Sequence, residues 1–276
     1  MSALIRFARW QIGSRLLPGD VIHPWVNGAK YIVRTGETGL TGNIYAGLHE
    51  FSDMGFVLHV LREADLFVDV GANVGAYTIL ACSSIGARGI SFEPVPSTYE
   101  RLINNIRLNN IENRVSCFNL ALGDRIGKVA FSSDKGPMNH VLAENERTAK
   151  ELVVNVSTLD EVLKEDVPFL MKIDVEGYET LMLRGATHTL VNERLCAIIM
   201  ELNGSGERYG YNEEDILNQM ETFGFRAYRY DPFKRSLTKI EGKNLLGGNT
   251  LFIRNEKYIL DRIKNAPNVN VQGISF

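Results

Sequence analysis

Apolar and polar positions change period along the chain, and each change marks a different kind of element. Between Met1 and Leu17, Leu4, Ile5, Ala8 and Ile12 recur at helical spacing with Arg6, Arg9 and Arg15 among them, which predicts a short amphipathic helix. Pro18, Gly19 and Pro24 end it. Ala29 to Ile44 reads as short strands joined by Gly36, Gly39 and Gly42, and His49 to Arg62 as a helix. From Asp65 onward, short and nearly all-apolar runs alternate with helical patterns: Leu66 to Val70, Gly89 to Phe92, Arg114 to Asn119, Phe169 to Val175 and Cys196 to Leu202. Runs without a polar face belong to strands buried on both sides, so the alternation predicts a mostly parallel sheet with helices on both faces.

Ser97-Thr98-Tyr99-Glu100 and Thr158-Leu159-Asp160-Glu161 have the spacing of capping boxes and place two helix starts. The regular alternation is interrupted from Lys128 to Thr158, where Val129 to Ser132 and Leu152 to Val156 alternate around a polar loop, so a β insertion is expected between the third and fourth strands. A helix over Asn212 to Phe223 precedes Phe225 to Tyr230 and Thr250 to Arg254, strands joined by a long connection containing Gly247-Gly248. Such a pair would finish the sheet as an antiparallel edge. The expected division is an N-terminal extension over 1–62 capping the site, a core domain over 63–256 and a C-terminal tail over 257–276.

At 276 residues the chain can bury one α/β core with extensions. A net charge of −3 without blocks of like charge gives no electrostatic footprint for a nucleic acid. Cys82, Cys117 and Cys196 are odd in number and lie in apolar runs, which suits reduced thiols and a cytoplasmic setting. No apolar stretch approaches a membrane span, so a soluble protein is expected. The first helix could lie on a membrane or a partner, or could cap the core as a lid; the lid is the simpler expectation.

Candidate chemistry concentrates after the first sheet strand. Phe67-Val68-Asp69-Val70-Gly71-Ala72-Asn73-Val74-Gly75 is an apolar strand carrying an acid and turning through glycines into a helix, the build of a nucleoside-binding loop. The second strand ends in Glu93, twenty-two residues after Gly71, where such folds hold an acid against ribose hydroxyls. A dinucleotide fingerprint reads G-x-G-x-x-G, whereas this loop reads G-x-N-x-G, which disfavours a pyrophosphate. S-adenosylmethionine fits better, having a ribose, no phosphate, an ammonium and a sulfonium.

A second cluster lies at the fourth strand. Lys172, Asp174 and Glu176 recur at i, i+2 and i+4, one face of a strand, and Glu201 ends the next one. They could form a buried structural ion pair, a site that orders a cofactor amine or an acceptor hydroxyl, or an oxygen-ligand site for a divalent cation; metal binding is not expected. His140 differs from His23, His49, His59 and His188, which lie in or beside apolar periodic segments. It follows Gly136-Pro137-Met138-Asn139 in the insertion and is the candidate general base, or an ordinary loop histidine. Tyr209, Tyr211, Phe223, Phe225, Tyr228 and Tyr230 could stack on a sugar ring, although their spacing suits the core.

The strings VDVGANVGAYT, FEPVPSTYERLINNIRLNN, NLALGD, TLDEVL and LMKIDVEGYETLMLRGA together resemble the FkbM family of S-adenosylmethionine-dependent methyltransferases, over about Gly47 to Leu202. The resemblance implies a Rossmann-like seven-stranded methyltransferase fold and methylation of hydroxyl groups on sugars, glycans or natural products. It also implies that Asp69, Gly71, Ala72, Asn73, Gly75 and Thr78 form the methionine-side loop, Glu93 the ribose acid, Asn119, Leu120 and Ala121 the adenine-side turn, and Asp174 a contact to the cofactor amine. The resulting expectation is an O-methyltransferase acting on a hydroxyl-bearing sugar acceptor. Alternatives are O-methylation of a small natural product, a nicotinamide-dependent oxidoreductase and a non-catalytic scaffold. Oligomeric state is left open.

Overall fold

Eight strands, the central ones without a polar face, assemble into one sheet in the computed structural model, which describes residues 3–16, 19–34, 40–132, 139–143, 146 and 148–276. Numbered within this sheet, the strands are β1 (Leu66–Val70), β2 (Arg88–Phe92), β3 (Val115–Phe118), β4 (Leu170–Ile173), β5 (Ala197–Glu201), β6 (Arg226–Asp231), β7 (Ser236–Lys239) and β8 (Asn249–Ile253). Their order across the sheet is β7-β6-β8-β5-β4-β1-β2-β3. The five strands β1 to β5 pair in parallel. β8 runs antiparallel between β5 and β6, as expected of the terminal strands. Every residue of β1, β4 and β8 is buried, which explains their lack of polar alternation.

The sheet has one strand more than the seven expected. After β6 the connection turns at once, because the Asp231 carboxylate accepts hydrogen bonds from the backbone N–H groups of Phe233 and Lys234 at 3.0 and 3.1 Å. That Asx turn returns the chain along β6 as β7.

Helices cover both faces. Phe56, Val57, Leu80, Ile259 and Ile263 pack on one face and Met182, Leu183, Leu190, Ile216 and Met220 on the other. The first layer draws on the helices Phe51–Val60 and Glu256–Lys264, which lie in the stretches expected as extension and tail. Phe276 is itself buried, with its ring edge-on to Phe51 and His59.

Three local expectations need correcting. Leu40–Ala46 is a helix rather than a strand; Gly42 lies where a Cβ would meet the His49 ring at 2.5 Å, so the glycine serves close packing instead of a strand turn. The helix Pro96–Leu108 opens one residue before its supposed capping box, with Pro96 in its first turn and no side-chain cap. The Thr158 box does form, its hydroxyl accepting from the Glu161 N–H at 3.2 Å. Finally, the first helix spans Ala3–Leu16, and the apolar positions that suggested a lid face outward.

The insertion forms a three-stranded sheet of Gly127–Ser132, Glu151–Ser157 and the short Ala121–Leu122. The Gly136-Pro137 turn with Met138 lies outside the described residues, as do Leu17, Pro18, Gly36 and Gly39. Among the described residues, no helix is long and apolar enough to cross a membrane.

Gly71 carries the turn out of β1 with φ +79°, and a Cβ there would sit 1.8 Å from the Asp174 carbonyl oxygen. The obstacle is the protein's own backbone, so a side chain at Gly71 would disturb the fold itself and not only the approach of a ligand. Gly71→Ala should therefore destabilise the fold by more than the roughly 1–3 kcal/mol of a strained backbone alone. A melting temperature equal to the parent's would contradict this geometry.

Candidate active site

The carboxyl ends of β1, β2, β4 and β5 open on one cleft of about 300 Å³. On its β1 side, the N–H groups of Gly71 and Ala72 both donate to the Phe92 carbonyl at 3.0 and 2.9 Å, locking the loop to the end of β2. Asn73 adopts φ +51°, a left-handed conformation that asparagine tolerates better than most residues. Its N–H donates to Glu93 Oε2 at 3.0 Å, while Glu93 Oε1 accepts from the Val95 N–H at 2.9 Å. The Glu93 carboxyl is thus immobilised at the cleft wall, and burial pushes its pKa up to about 7 against these two hydrogen bonds.

Asp69 is buried one turn away and accepts from the Thr78 hydroxyl at 2.6 Å; Thr78 also pairs with Ser91 at 2.8 Å. Burial raises Asp69 to about 6. Asp69, Gly71, Ala72, Asn73, Glu93, Leu120 and Ala121 line the cleft as one wall. Gly75, Thr78 and Asn119 stand behind it. The Asn119 amide donates to the carbonyls of Glu93 and Pro94 at 2.8 and 3.0 Å, so it ties the ends of β2 and β3 together instead of facing the cleft.

On the β4 side, Lys172 is 2% exposed and Asp174 sits in front of it, with Nζ donating to Asp174 Oδ2 at 3.2 Å and to Asn249 Oδ1 at 3.0 Å. Burial alone would lower the lysine pKa, but Asp174, Glu50 and Glu201 outweigh it and raise it above its ordinary value. The ammonium is fixed as a cation and balances the acids of the cleft. Sequence reasoning missed the partners that complete this network. Asn249 of β8 donates to Glu50 Oε1 at 2.8 Å and Asp53 Oδ2 at 3.1 Å, and the Tyr77 hydroxyl donates to Glu50 Oε2 at 2.6 Å. Glu50 and Asp53 come from the N-terminal stretch, where nothing in their local pattern separates them from solvated helix charges. Asp53 is pushed up to about 7 by burial and by Glu50.

Glu176 reaches the cluster differently from what strand periodicity predicts. On an extended strand Asp174 and Glu176 would stand about 7 Å apart along one face, whereas Asp174, Glu176 and Glu201 bring carboxylate oxygens within 4.8 Å of one another. β4 ends at Ile173, and Glu176 at φ +52° and Gly177 at φ +100° fold the chain back. Glu179 Oε1 accepts from the N–H groups of Gly177 and Val175 at 3.1 and 3.4 Å and holds that turn. Glu201 is raised to about 8 by burial and then by Asp174, with Lys172 pulling the other way. Its Oε2 is buried without a hydrogen-bond partner. Two carboxyl groups so close favour sharing one proton.

His140 does not occupy the place expected of it. It is 3% exposed, its N–H donates to the Ser132 hydroxyl at 2.9 Å, and its Nε2 meets Glu146 Oε1 at 2.8 Å. Its neighbours Asn139 and Val141 line the cleft and the imidazole does not. The cause is packing: Ser132 and His140 pair backbone to backbone across the insertion and draw the ring inward. His49, expected to be a packed or surface residue, is exposed and also lines the cleft. Of the tyrosines and phenylalanines suggested for stacking, Phe225, Tyr228 and Tyr230 are core residues.

Asp69, Glu93, Asp174, Glu176, Glu201 and Glu50 all face this cleft, whereas the lysine on its described wall, Lys172, is already engaged. Such a donor set suits a cation bearing hydroxyl groups and opposes a phosphate. S-adenosylmethionine meets both conditions: Glu93 would hold its ribose and Asp69 its cationic end.

The same acids set the stability profile. Asp53, Asp69, Glu93, Glu179 and Glu201 all bind protons more tightly folded than unfolded, with values near 7, 6, 7, 7 and 8. Raised carboxyl values contribute stability that is complete below the unfolded values and lost as pH rises through about 6 to 8. The protein without cofactor should melt lower at pH 8 than at pH 5, by roughly 2–4 °C for each kcal/mol lost. Cofactor cation should narrow the gap. Differential scanning fluorimetry across that range checks this, and a melting temperature that climbs toward pH 8 contradicts it.

Comparison with known proteins places the chain in a family. A 150-residue stretch is 28% identical to the hexuronic acid methyltransferase AglP of Haloferax volcanii, covering 53% of this chain and 59% of that protein. A 160-residue stretch is 28% identical to Methyltransferase 1 of Beauveria bassiana, covering 49% of this chain and 64% of that protein. The chain thus spans less than two thirds of either relative. Among solved structures, P. horikoshii TYW2 in complex with MeSAdo aligns over 85% of this chain and 69% of its own, at 16% identity and a TM-score of 0.41, too distant to bear on the reaction. The pattern of the methyltransferase FkbM domain matches residues 69–227, the stretch that supplies the glycine loop, Glu93 and the acids of β4 and β5. With that match spanning more than half its length, the chain belongs to the FkbM methyltransferase family, whose methyl donor is S-adenosylmethionine.

Proposed function

We propose that this chain methylates a hydroxyl group of a sugar in a glycan, polysaccharide or glycolipid. The observation that carries the proposal is the pairing of Asp174 with Glu201 at the ends of β4 and β5, where Glu201 is raised to about 8 and keeps one buried oxygen unpartnered. A sugar hydroxyl is a poor acid and needs a base beside it as its oxygen is alkylated. When bound, S-adenosylmethionine supplies a methyl group already activated by a sulfonium. Asp174 and Glu201 orient the hydroxyl and take its proton, while Lys172 behind them keeps the acids charged enough to accept it. Glu93 and the loop Asp69 to Gly75 hold the donor, with Thr78 and Asn119 fixing that wall from behind. Asn139 and Val141 of the insertion and His49 shape the acceptor side.

The hexuronic acid methyltransferase among the relatives supports a sugar acceptor. Methylation of a sugar's carboxylate is disfavoured by the physics of the cleft, because Asp174, Glu176 and Glu201 would repel it and no base would be required. A nicotinamide-dependent oxidoreductase is opposed by the same acids and by Asn73 in place of a glycine.

The test is transfer of radiolabelled methyl to uronic-acid glycans, neutral glycans, glycolipids and phenols, followed by mild alkali. An alkali-stable ether on a sugar is expected. Alkali release of the label would make the product an ester and sink the hydroxyl assignment, and transfer confined to phenols would exclude the sugar.

A further inference from the structure

We propose that the helix Ala3–Leu16 docks the protein on an anionic lipid surface. The helix packs on the fold with its less apolar side. Ser14 is buried, Trp10 is half-buried, Arg6 Nε donates to the Tyr45 carbonyl at 3.0 Å, and Phe7 meets the Tyr45 ring edge-on at 5.2 Å. At about 100° per residue, Leu4, Ile5, Ala8, Ile12 and Leu16 fall on the other side. Leu4, Ile12 and Leu16 are 76%, 61% and 74% exposed, and Ile5 51%. A helix that only capped the core would show the reverse arrangement.

Charge decides what covers this face. Met1 to Gly19 holds three arginines and no acid, leaving 27 basic against 33 acidic residues, a net −6, in the rest of the chain. Arg15 lies within the exposed stripe and Arg9 at its border, both exposed. Long cationic side chains beside leucine and isoleucine suit a headgroup layer, where the aliphatic side chains enter the acyl boundary and the guanidinium groups meet anionic headgroups. A second acidic copy of this chain would also attract arginine, but would have to cover the apolar side chains with a complementary groove. The described surface offers a cavity elsewhere, on the inner side of the helix, lined by Arg6, Arg9, Trp10, Gly13 and Ser14.

The position of the helix connects this surface to the cleft. It packs against the helix Leu40–Ala46, whose Leu40 and Asn43 line the cleft. Docking here would bring the cleft close to the headgroup layer, so a lipid-linked acceptor would arrive without leaving the membrane. The docking itself does not depend on the acceptor proposed above.

Sedimentation of the full chain with phosphatidylcholine vesicles, with and without roughly one-third phosphatidylglycerol, tests the proposal. Binding is expected only with phosphatidylglycerol and should weaken as salt rises. Arg15→Gln should weaken partitioning about fivefold, and Ile5→Asp with Ile12→Asp by about a hundredfold or more. Melting temperature and S-adenosylmethionine affinity, read by calorimetry, should match the parent in both variants. Absence of binding to phosphatidylglycerol vesicles, or binding that Ile5→Asp with Ile12→Asp leaves unchanged, overturns the proposal. A dimer in sedimentation velocity that the same two substitutions dissolve would assign the face to a second copy and overturn it as well.

Discussion

Glu201→Gln should lower kcat about a hundredfold or more, the scale of general base catalysis, while leaving the melting temperature near that of the parent. The amide keeps the shape of the side chain and loses the site that accepts the proton. In the parent, log kcat should rise with pH up to about 8, where Glu201 gives up its proton. The variant should lack that limb. Asp174→Asn should give a loss of similar size, because its carboxylate stands between Lys172 and Glu201. Lys172 would not be stranded, since Glu50 and Glu201 still face it and Asn249 still accepts from it. If Lys172 and Asp174 are only a structural pair, the outcome reverses: Asp174→Asn melts lower and keeps its turnover per folded molecule. Equal turnover and an unchanged pH profile in Glu201→Gln would move the base to Glu176 or His49.

Glu93→Ala should weaken S-adenosylmethionine binding by about ten- to a hundredfold, the worth of hydrogen bonds to a charged group at about 1.5–3 kcal/mol. The structure adds a cost that the sequence did not show. Glu93 also accepts from the backbone N–H groups of Asn73 and Val95, so alanine leaves two donors at a buried site without their partner. Some stability is therefore lost along with affinity. Glu93→Gln separates the two effects because it keeps an acceptor oxygen for the loop. It should recover most of the melting temperature and only part of the affinity. Calorimetry on both variants decides, and parent-like affinity in Glu93→Ala would remove the ribose assignment.

Local pattern was enough to place the central strands and the antiparallel β8, because strands buried on both faces must be apolar throughout, and the β insertion, because half-exposed strands alternate. The loop from Asp69 to Gly75 and the acid at Glu93 were legible for a similar reason: a turn that needs glycine at φ +79° admits few other residues. Periodicity failed where backbone turns or long-range packing decide position. Glu176 was assigned to the right neighbours by the wrong geometry, since a left-handed turn and not a strand face brings it to Glu201.

His140 illustrates the limit from the other side. A polar loop in the sequence gave no sign that Ser132 and Glu146 would draw the imidazole inward. Glu50, Asp53 and Asn249 are ordinary polar residues in their own segments, and they become a network only when the Phe51–Val60 helix and β8 meet around Lys172. The sequence by itself determined the layered α/β fold, the glycine loop after β1 and the presence of acids at the strand ends, all of which follow from short-range spacing. Only the tertiary structure decided which acids meet at the strand ends, which histidine faces the cleft and which side of the first helix meets solvent, because these depend on contacts between residues far apart in the chain.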